Sequence, residues 1–244
     1  IAGEIMRHYD DLNVIKYAYK QSTAPEKDEG KLNVSAIRTL SLNALPDVVF
    51  TLAGLYPKID ITVIEQNTAA AMQSMITGES DVALFNLEAE DEQSFQKLSE
   101  NGRKVIPLWD EKLFAIISSS SDLMHYQSLS LAKVDGKPLA INAFFFDDYD
   151  QVAFSQKFLP HCRIAFRSNN FDLVQQYVSA SDAFSFAFIG YTKDLEKTFL
   201  EKIAIKPIKE NLTMRFYAVY DENNPRLKQI EIFIKILCDL YDLK

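Results

Sequence analysis

Apolar residues along the chain recur at two spacings, every second position or every third to fourth, and the changes from one to the other mark its elements. Leu32, Val34 and Ala36 alternate with polar neighbours and predict a first strand. Leu45, Val48, Val49, Leu52 and Tyr56 then follow helical spacing until Pro57, whose ring and missing N–H stop a helix. Ile59, Ile61 and Val63 alternate again as a second strand. Thr68 to Ile76 reads as a helix with Met72, Met75 and Ile76 turned inward and Gly78 as its C-terminal stop, and Asp81 to Phe85 reads as a third strand. Two successive β-α-β units with crossovers too long for hairpins predict a parallel sheet covered by helices.

The second half repeats this logic. Leu113 to Ser119, Arg163 to Phe166 and Phe184 to Ile189 are candidate strands, with a further one over Pro138 to Asn142 (PLAIN). Candidate helices are Gln151 to Phe158 and Phe171 to Val178, the second with Leu173, Val174, Tyr177 and Val178 on one face. Met214 to Tyr220 alternates as a strand, and Pro225 opens an amphipathic last helix with Leu227, Ile230, Ile234, Leu237 and Tyr241 on its stripe. At the other end, Ile1 to Gln21 reads as a thinly amphipathic helix, and Ser22 to Lys31, broken by Pro25 and Gly30, has linker composition. The expected architecture is α/β, with two Rossmann-like lobes of about a hundred residues each and a ligand cleft between them.

Composition narrows the classes. The 244 residues are 48% hydrophobic and 25% charged, enough to bury a core. No window reaches the roughly 18 to 20 consecutive apolar residues of a membrane helix, so no membrane partner is expected. Ile1 to Asp10 carries Glu4, Arg7 and Asp10 where a secretory signal would place a basic start and an apolar run. Cys162 and Cys238 are too sparse for a disulfide framework. Both observations favour a reducing, cytoplasmic location. With 26 basic and 34 acidic residues the net charge is -8, and no basic cluster offsets it, so DNA binding by this stretch alone is not expected. Because it begins at Ile1, the chain reads as a piece of a longer protein.

Catalytic constellations are scarce, and no enzyme is expected. His8, His125 and His161 are scattered without metal-ligand spacing, and the acids of Phe144 to Asp150 (FFFDDYD) read as a solvated cluster. There is no GxSxG, P-loop or GxGxxG motif, so neither a catalytic set, a metal nor a cofactor is assigned. Two loops suit a ligand instead. Thr39 and Ser41 are expected between the first strand and its helix, and Asn67 and Thr68 between the second strand and its helix, at the strand ends where helices present unpaired N–H groups. A hydroxyl there either caps its helix, worth about 1 kcal/mol, or meets a small anion, and the two roles are compatible. Asn142, Asn169 and Asn170 would supply amides from the second lobe or serve as turn residues, and Phe144 to Phe146 would cover the ligand or lie in the core.

From Leu32 the chain reads LNVSAIRTLSLNALPDVVFTLAGLYPKIDITVIEQNT, followed by GESDVAL. This resembles the effector-binding domain of LysR-type transcriptional regulators. The pattern shared is a strand, a loop with Ser or Thr, Leu45-Pro46, an apolar helix, Tyr56-Pro57, a strand, a helix opened by Thr68, and a G-x-x-D strand at Gly78 to Asp81. The likeness continues through Leu113 to Ser118, DGKPLAIN and the final strand and helix. One departure stands at Val178 to Ala183, where the family usually has V-x-x-G-x-G and both glycines are replaced.

The resemblance implies a type 2 periplasmic-binding-protein-like fold. It assigns 1–31 to a linker helix and linker, 32–117 with 213–244 to a first lobe, and 118–212 to a second. It implies effector contacts at Thr39 and Thr68, self-association as a homodimer or homotetramer through Ile61 to Ile76 and Phe171 to Ser179, and DNA contact only through a helix-turn-helix domain outside this chain. A transport solute-binding protein of the same fold is the alternative, and an enzyme on this fold would need a catalytic pair facing the cleft.

Overall fold

A computed structural model describes residues 28–88, 98–99, 102–142, 158–188 and 201–243. The expected helices over Ile1 to Gln21 and Gln151 to Phe158, apart from Phe158 itself, and the Phe144 to Asp150 cluster lie outside the described residues.

The first lobe opens with the two expected β-α-β units. Strand β1 (Glu29–Ala36) is followed by helices α1 (Arg38–Asn43) and α2 (Leu45–Leu55), strand β2 (Lys58–Glu65), helix α3 (Thr68–Ile76) and strand β3 (Val82–Glu88). Strands β2 and β3 both pair with β1 in parallel. Leu32, Val34 and Ala36 are fully buried, and Leu45, Val48 and Leu52 of α2 pack on the same core. The α3 face differs from the expectation. Ala71, Ser74 and Met75 point inward, while Ile76 is 48% exposed. Ser74 goes inward because its hydroxyl joins those of Ser35 and Ser80 in a buried cluster that fastens α3 to β1.

Strand β4 (Arg103–Ser118) is longer than its apolar half suggests. Its first part, to Lys112, runs antiparallel to β9 (Thr213–Asp221), which also pairs with β3. From Leu113 it pairs instead with β7 (Phe184–Phe188) and β8 (Ile203–Pro207). Beyond β4 come a 3-10 turn (Asp122–His125), helix α4 (Leu131–Val134), and β5 (Pro138–Asn142), which is parallel to both β6 (Arg163–Ser168) and β7. Helix α5 (Phe171–Ser179) covers this second sheet with Val174 and Val178, while Leu173, expected on that face, is 46% exposed. Helix α6 (Leu227–Leu240) returns to the first lobe with Ile230, Phe233, Ile234, Ile236 and Leu237 buried. The sheet is therefore mixed: a continuous order β2-β1-β3-β9-β4-β7-β5-β6, with β8 beside β4.

Two motifs acquire physical content. Gly78 follows the C-cap of α3 at φ +76°, a left-handed conformation that L side chains rarely adopt. Asp81 is a buried anchor. Its carboxylate accepts from the Asn33 backbone N–H at 2.8 Å, Asn224 Nδ2 at 3.0 Å and Arg226 Nε at 2.9 Å, tying β1 and the start of β3 to the turn before α6. The turn lacking the glycines, 180–183, does not need them. Among the described residues only Asp242 is a non-glycine with positive φ. Ser181 Oγ donates to Tyr177 O and accepts from Ala183 N, and Lys137 Nζ binds both Asp182 and Asp122 at 3.0 Å.

Removing the Asp81 carboxylate takes the acceptor from the half-buried Asn33 N–H and from Arg226 together. Asp81→Ala should cost about 2 kcal/mol in denaturant unfolding, as for hydrogen-bonding groups left without their acceptor; a loss under about 1 kcal/mol, the range of an exposed ion pair, would mean that the anchor is dispensable.

Candidate functional site

The site is built where β1, β2 and β3 end. The chain leaves β1 at Ile37, whose N–H donates to Leu84 O of β3 at 3.0 Å, and leaves β2 at Gln66, whose N–H donates to Ala36 O of β1 at 2.9 Å. The two exits are thus stitched side by side. Arg38 Nη1 stands 3.5 Å from Glu65 Oε1, so the one pair of opposite charges linking these exits is largely self-neutralised.

Thr39 and Ser41 are not in a loop between strand and helix. They lie inside α1, whose N-cap is Ile37, a residue with no side chain able to cap. This corrects the expectation and removes capping as their role. Thr39 is 1% exposed, and neither its Oγ1 nor Ser41 Oγ has a hydrogen-bond partner among the described residues. A buried hydroxyl left unmade costs about 1 to 3 kcal/mol, so an arrangement of this kind favours a ligand that supplies the partner.

On the neighbouring exit the roles are divided. Asn67, not Thr68, caps α3, its Oδ1 accepting from Ala70 N at 2.8 Å. Thr68 is the first residue of the helix, and its hydroxyl donates to Asn86 Oδ1 at 3.3 Å and Asn86 O at 3.4 Å. Those distances are long for O–H···O bonds. Gln66 presents a buried Oε1 with no partner among the described residues. Sequence reasoning passed over Gln66 and Asn86. Gln66 directly precedes the chosen Asn67, but Asn86 becomes a neighbour only through the β1–β3 pairing.

The second-lobe amides lie at the matching ends of parallel strands. Asn142 is the last residue of β5, is buried, and pairs in register with Ser168 at the end of β6. Asn170 caps α5, its Oδ1 accepting from Asp172 N at 2.9 Å and Leu173 N at 3.3 Å, and Asn169 beside it is exposed. The structure therefore joins Thr39, Ser41, Gln66, Asn67 and Thr68 on one edge, with Asn142 and Asn170 on the corresponding edge of the second sheet.

Other reactive groups are placed elsewhere. Burial pushes up the thiol pKa of both Cys162 and Cys238, so neither is a ready thiolate at neutral pH. His161 Nδ1 lies 2.6 Å from Asp135 Oδ2, and the His125 ring packs on Tyr126. No three His, Cys, Asp or Glu residues among the described ones stand where they could hold a metal, and no helix among them is long and apolar enough to cross a membrane.

The sequence profile of the LysR substrate binding domain matches residues 25–240. Among solved structures the chain is similar to the reduced form of the OxyR regulatory domain from Pseudomonas aeruginosa, at 16% identity over 85% of this chain and 96% of that one, TM-score 0.64. It is similar to HinK, a LysR family transcriptional regulator from Pseudomonas aeruginosa, at 15% identity over 97% and 78%, TM-score 0.67. It is also similar to a reduced form of OxyR from N. meningitidis, at 16% identity over 88% and 96%, TM-score 0.65. At these identities the likeness is one of fold, and the fold is the type 2 periplasmic-binding-protein-like one. No curated protein sequence matches the chain.

The contrast between the two exits is measurable without ligand. Thr39→Val removes a hydroxyl with no partner and should melt at or above the wild type. Asn67→Ala deletes a working cap and should cost about 1 kcal/mol. Equal losses in both would mean that Thr39 is bonded within the protein.

Proposed function

Because the chain belongs to the LysR substrate binding domain family, we propose that it is the sensing part of a transcriptional regulator, binding a small anionic effector between its lobes and controlling DNA binding through the oligomer. The lobes in this reading are residues 32–117 with 213–244, and 118–212, joined through a linker at 1–31 to a helix-turn-helix domain. The protein acts in the cytoplasm and performs no catalysis. The family match favours this over a transport solute-binding protein.

The observation that carries the reading is the paired exit at β1 and β2. There Thr39, Ser41 and Thr68 offer hydroxyls, α3 offers the positive end of a nine-residue helix, and Arg38 is already matched by Glu65. Donors without a surplus cation suit a carboxylate held by neutral groups. Asn142 and Asn170 complete the contact from the second lobe. A ligand touching both edges favours one lobe angle over another, and the resulting population shift reorients the oligomer.

The test is a stabilisation screen of small carboxylates and amino acids, followed by calorimetric titration of the best binder. Thr39→Val and Thr68→Val should stay folded and lose about tenfold or more in affinity, the cost of one hydrogen bond to a charged group. Undiminished affinity in both would move the site elsewhere.

The oligomer has its own support. Val63, Ile64 and Ile76 on the first lobe and Leu173 on the second are large apolar side chains standing in solvent. The isolated chain should sediment as a dimer or tetramer at tens of micromolar, and Ile64→Glu or Leu173→Glu should give folded monomers. In a mobility shift at about 100 mM salt it should not bind DNA, since its net charge is -8 and phosphate contacts need basic clusters. A wild-type monomer would remove the oligomer from the mechanism.

A further inference from the structure

Strand β4 runs from the first sheet into the second, and the part of it that pairs with β9 in the first sheet carries an irregularity. Pro107 of β4 faces Tyr217 of β9, and Asp110 faces Arg215, so Leu108 and Trp109 together stand opposite the single residue Phe216. This is a β-bulge, a feature that re-aims side chains and weakens the ladder locally. Trp109, the only tryptophan of the chain, is one of the two bulge residues. Its ring stacks on Phe216 at a centroid distance of 5.7 Å and packs against Tyr241, tilted by 30°, at 5.3 Å. Phe216 in turn meets Phe188 of β7, in the second sheet, edge-on at 5.3 Å. The hinge thus holds a run of four aromatic rings reaching from the end of α6 to the second lobe.

Tyr241 also reaches the candidate site. Its hydroxyl donates to Asn43 O at 2.9 Å, with Ala44 O at 3.4 Å and Asp47 Oδ2 at 3.5 Å beside it. Asn43 is the last residue of α1, and its Nδ2 donates back to Thr39 O at 2.9 Å. Helix α1 needs this support. It has six residues and no side-chain cap at its start, its last carbonyl, Asn43 O, is met by the Tyr241 hydroxyl, and helices so short do not persist unaided. Two hydrogen bonds therefore connect the ring on Trp109 to the peptide of Thr39.

We infer that Tyr241 is a positioning residue for the effector site, holding α1 through Asn43 and coupling it to the interlobe hinge through its ring on Trp109. The functional meaning rests on the reading that Thr39 meets the effector. A change of lobe angle moves Phe188 of the second sheet against Phe216, and Phe216 passes the displacement to Trp109 at the bulge, where the ladder is disrupted. Tyr241 follows the ring it packs against, and Asn43 and Thr39 follow its hydroxyl. The coupling runs equally in the other direction, so a ligand that fixes Thr39 biases the hinge.

The test uses the whole 244-residue chain and amide hydrogen exchange without any ligand, so its result is independent of whether a carboxylate binds. Tyr241→Phe keeps the ring and deletes the donor. It should speed exchange of the α1 amides by about fivefold, as expected for one lost hydrogen bond, and leave β5, β6 and α5 unchanged. Trp109→Leu changes a residue of β4 and not of α1, yet it should speed the same amides, and the double variant should add little to the larger single effect. Trp109→Phe replaces it if the leucine variant does not fold. A residue that merely stabilised the lobe would loosen every first-lobe element alike. Unchanged α1 exchange in Tyr241→Phe, unchanged α1 exchange in the Trp109 variant, or full additivity of the two would each overturn the inference.

Discussion

Strand β4 is the member on which the rest of the architecture depends. Its residues to Lys112 form a ladder with β9, and those from Leu113 form ladders with β7 and β8, so one extended segment belongs to both sheets. The backbone amides and carbonyls of that segment must stay paired, because Leu113, Ala115, Ile116 and Ile117 are buried. Relative motion of the lobes is thereby carried along β4, and the first sheet receives it through the β4–β9 ribbon. The bulge at Leu108 and Trp109 is where that ribbon gives most readily. Outside it, Arg215 clamps Asp110 with two hydrogen bonds of 2.7 and 2.9 Å, and the guanidinium holds the Asp110 carboxyl below its ordinary pKa.

The site inherits its character from the same economy of connections. Parallel strands β1 and β2 end together, and each is followed at once by a helix, so hydroxyl and amide side chains collect where backbone N–H groups point outward. Among the described residues, Arg38 and Glu65 there answer each other. Recognition by neutral donors depends on geometry more than on attraction. In the proposed reading, the seating of α1, a six-residue helix with no side-chain cap at its start, sets the affinity.

Much of this was legible in the residues, and the misreadings have physical causes. Alternation located β1, β2 and β9 because one or both faces of each meet the core, and helical spacing located α2, α3 and α6. Helix α1 was missed because it is brief and uncapped, and Thr39 and Ser41 were therefore assigned to a loop. Ile76 was turned inward on the rule that apolar residues are buried, whereas the interior position went to Ser74, whose hydroxyl has buried partners in Ser35 and Ser80. The first half of β4 and all of β8 escaped because their residues are mostly half-exposed and show no clean period. Gly78 and Asp81 were visible as a motif, but the three bonds that explain Asp81 come from β1 and from a turn more than 140 residues later.

The central claim is that a ligand at the paired exit selects a lobe angle through the β4–β9 ribbon. It is tested most directly by a distance distribution between spin labels on exposed positions of the two lobes, Ala53→Cys on α2 and Gln176→Cys on α5, with Cys162 and Cys238 replaced by serine. With the carboxylate found by screening, the distribution should narrow and its centre should move, and Thr39→Val should restore the unliganded distribution at the same ligand concentration. A saturating ligand that binds through Thr39 yet leaves the distribution unchanged would contradict the account.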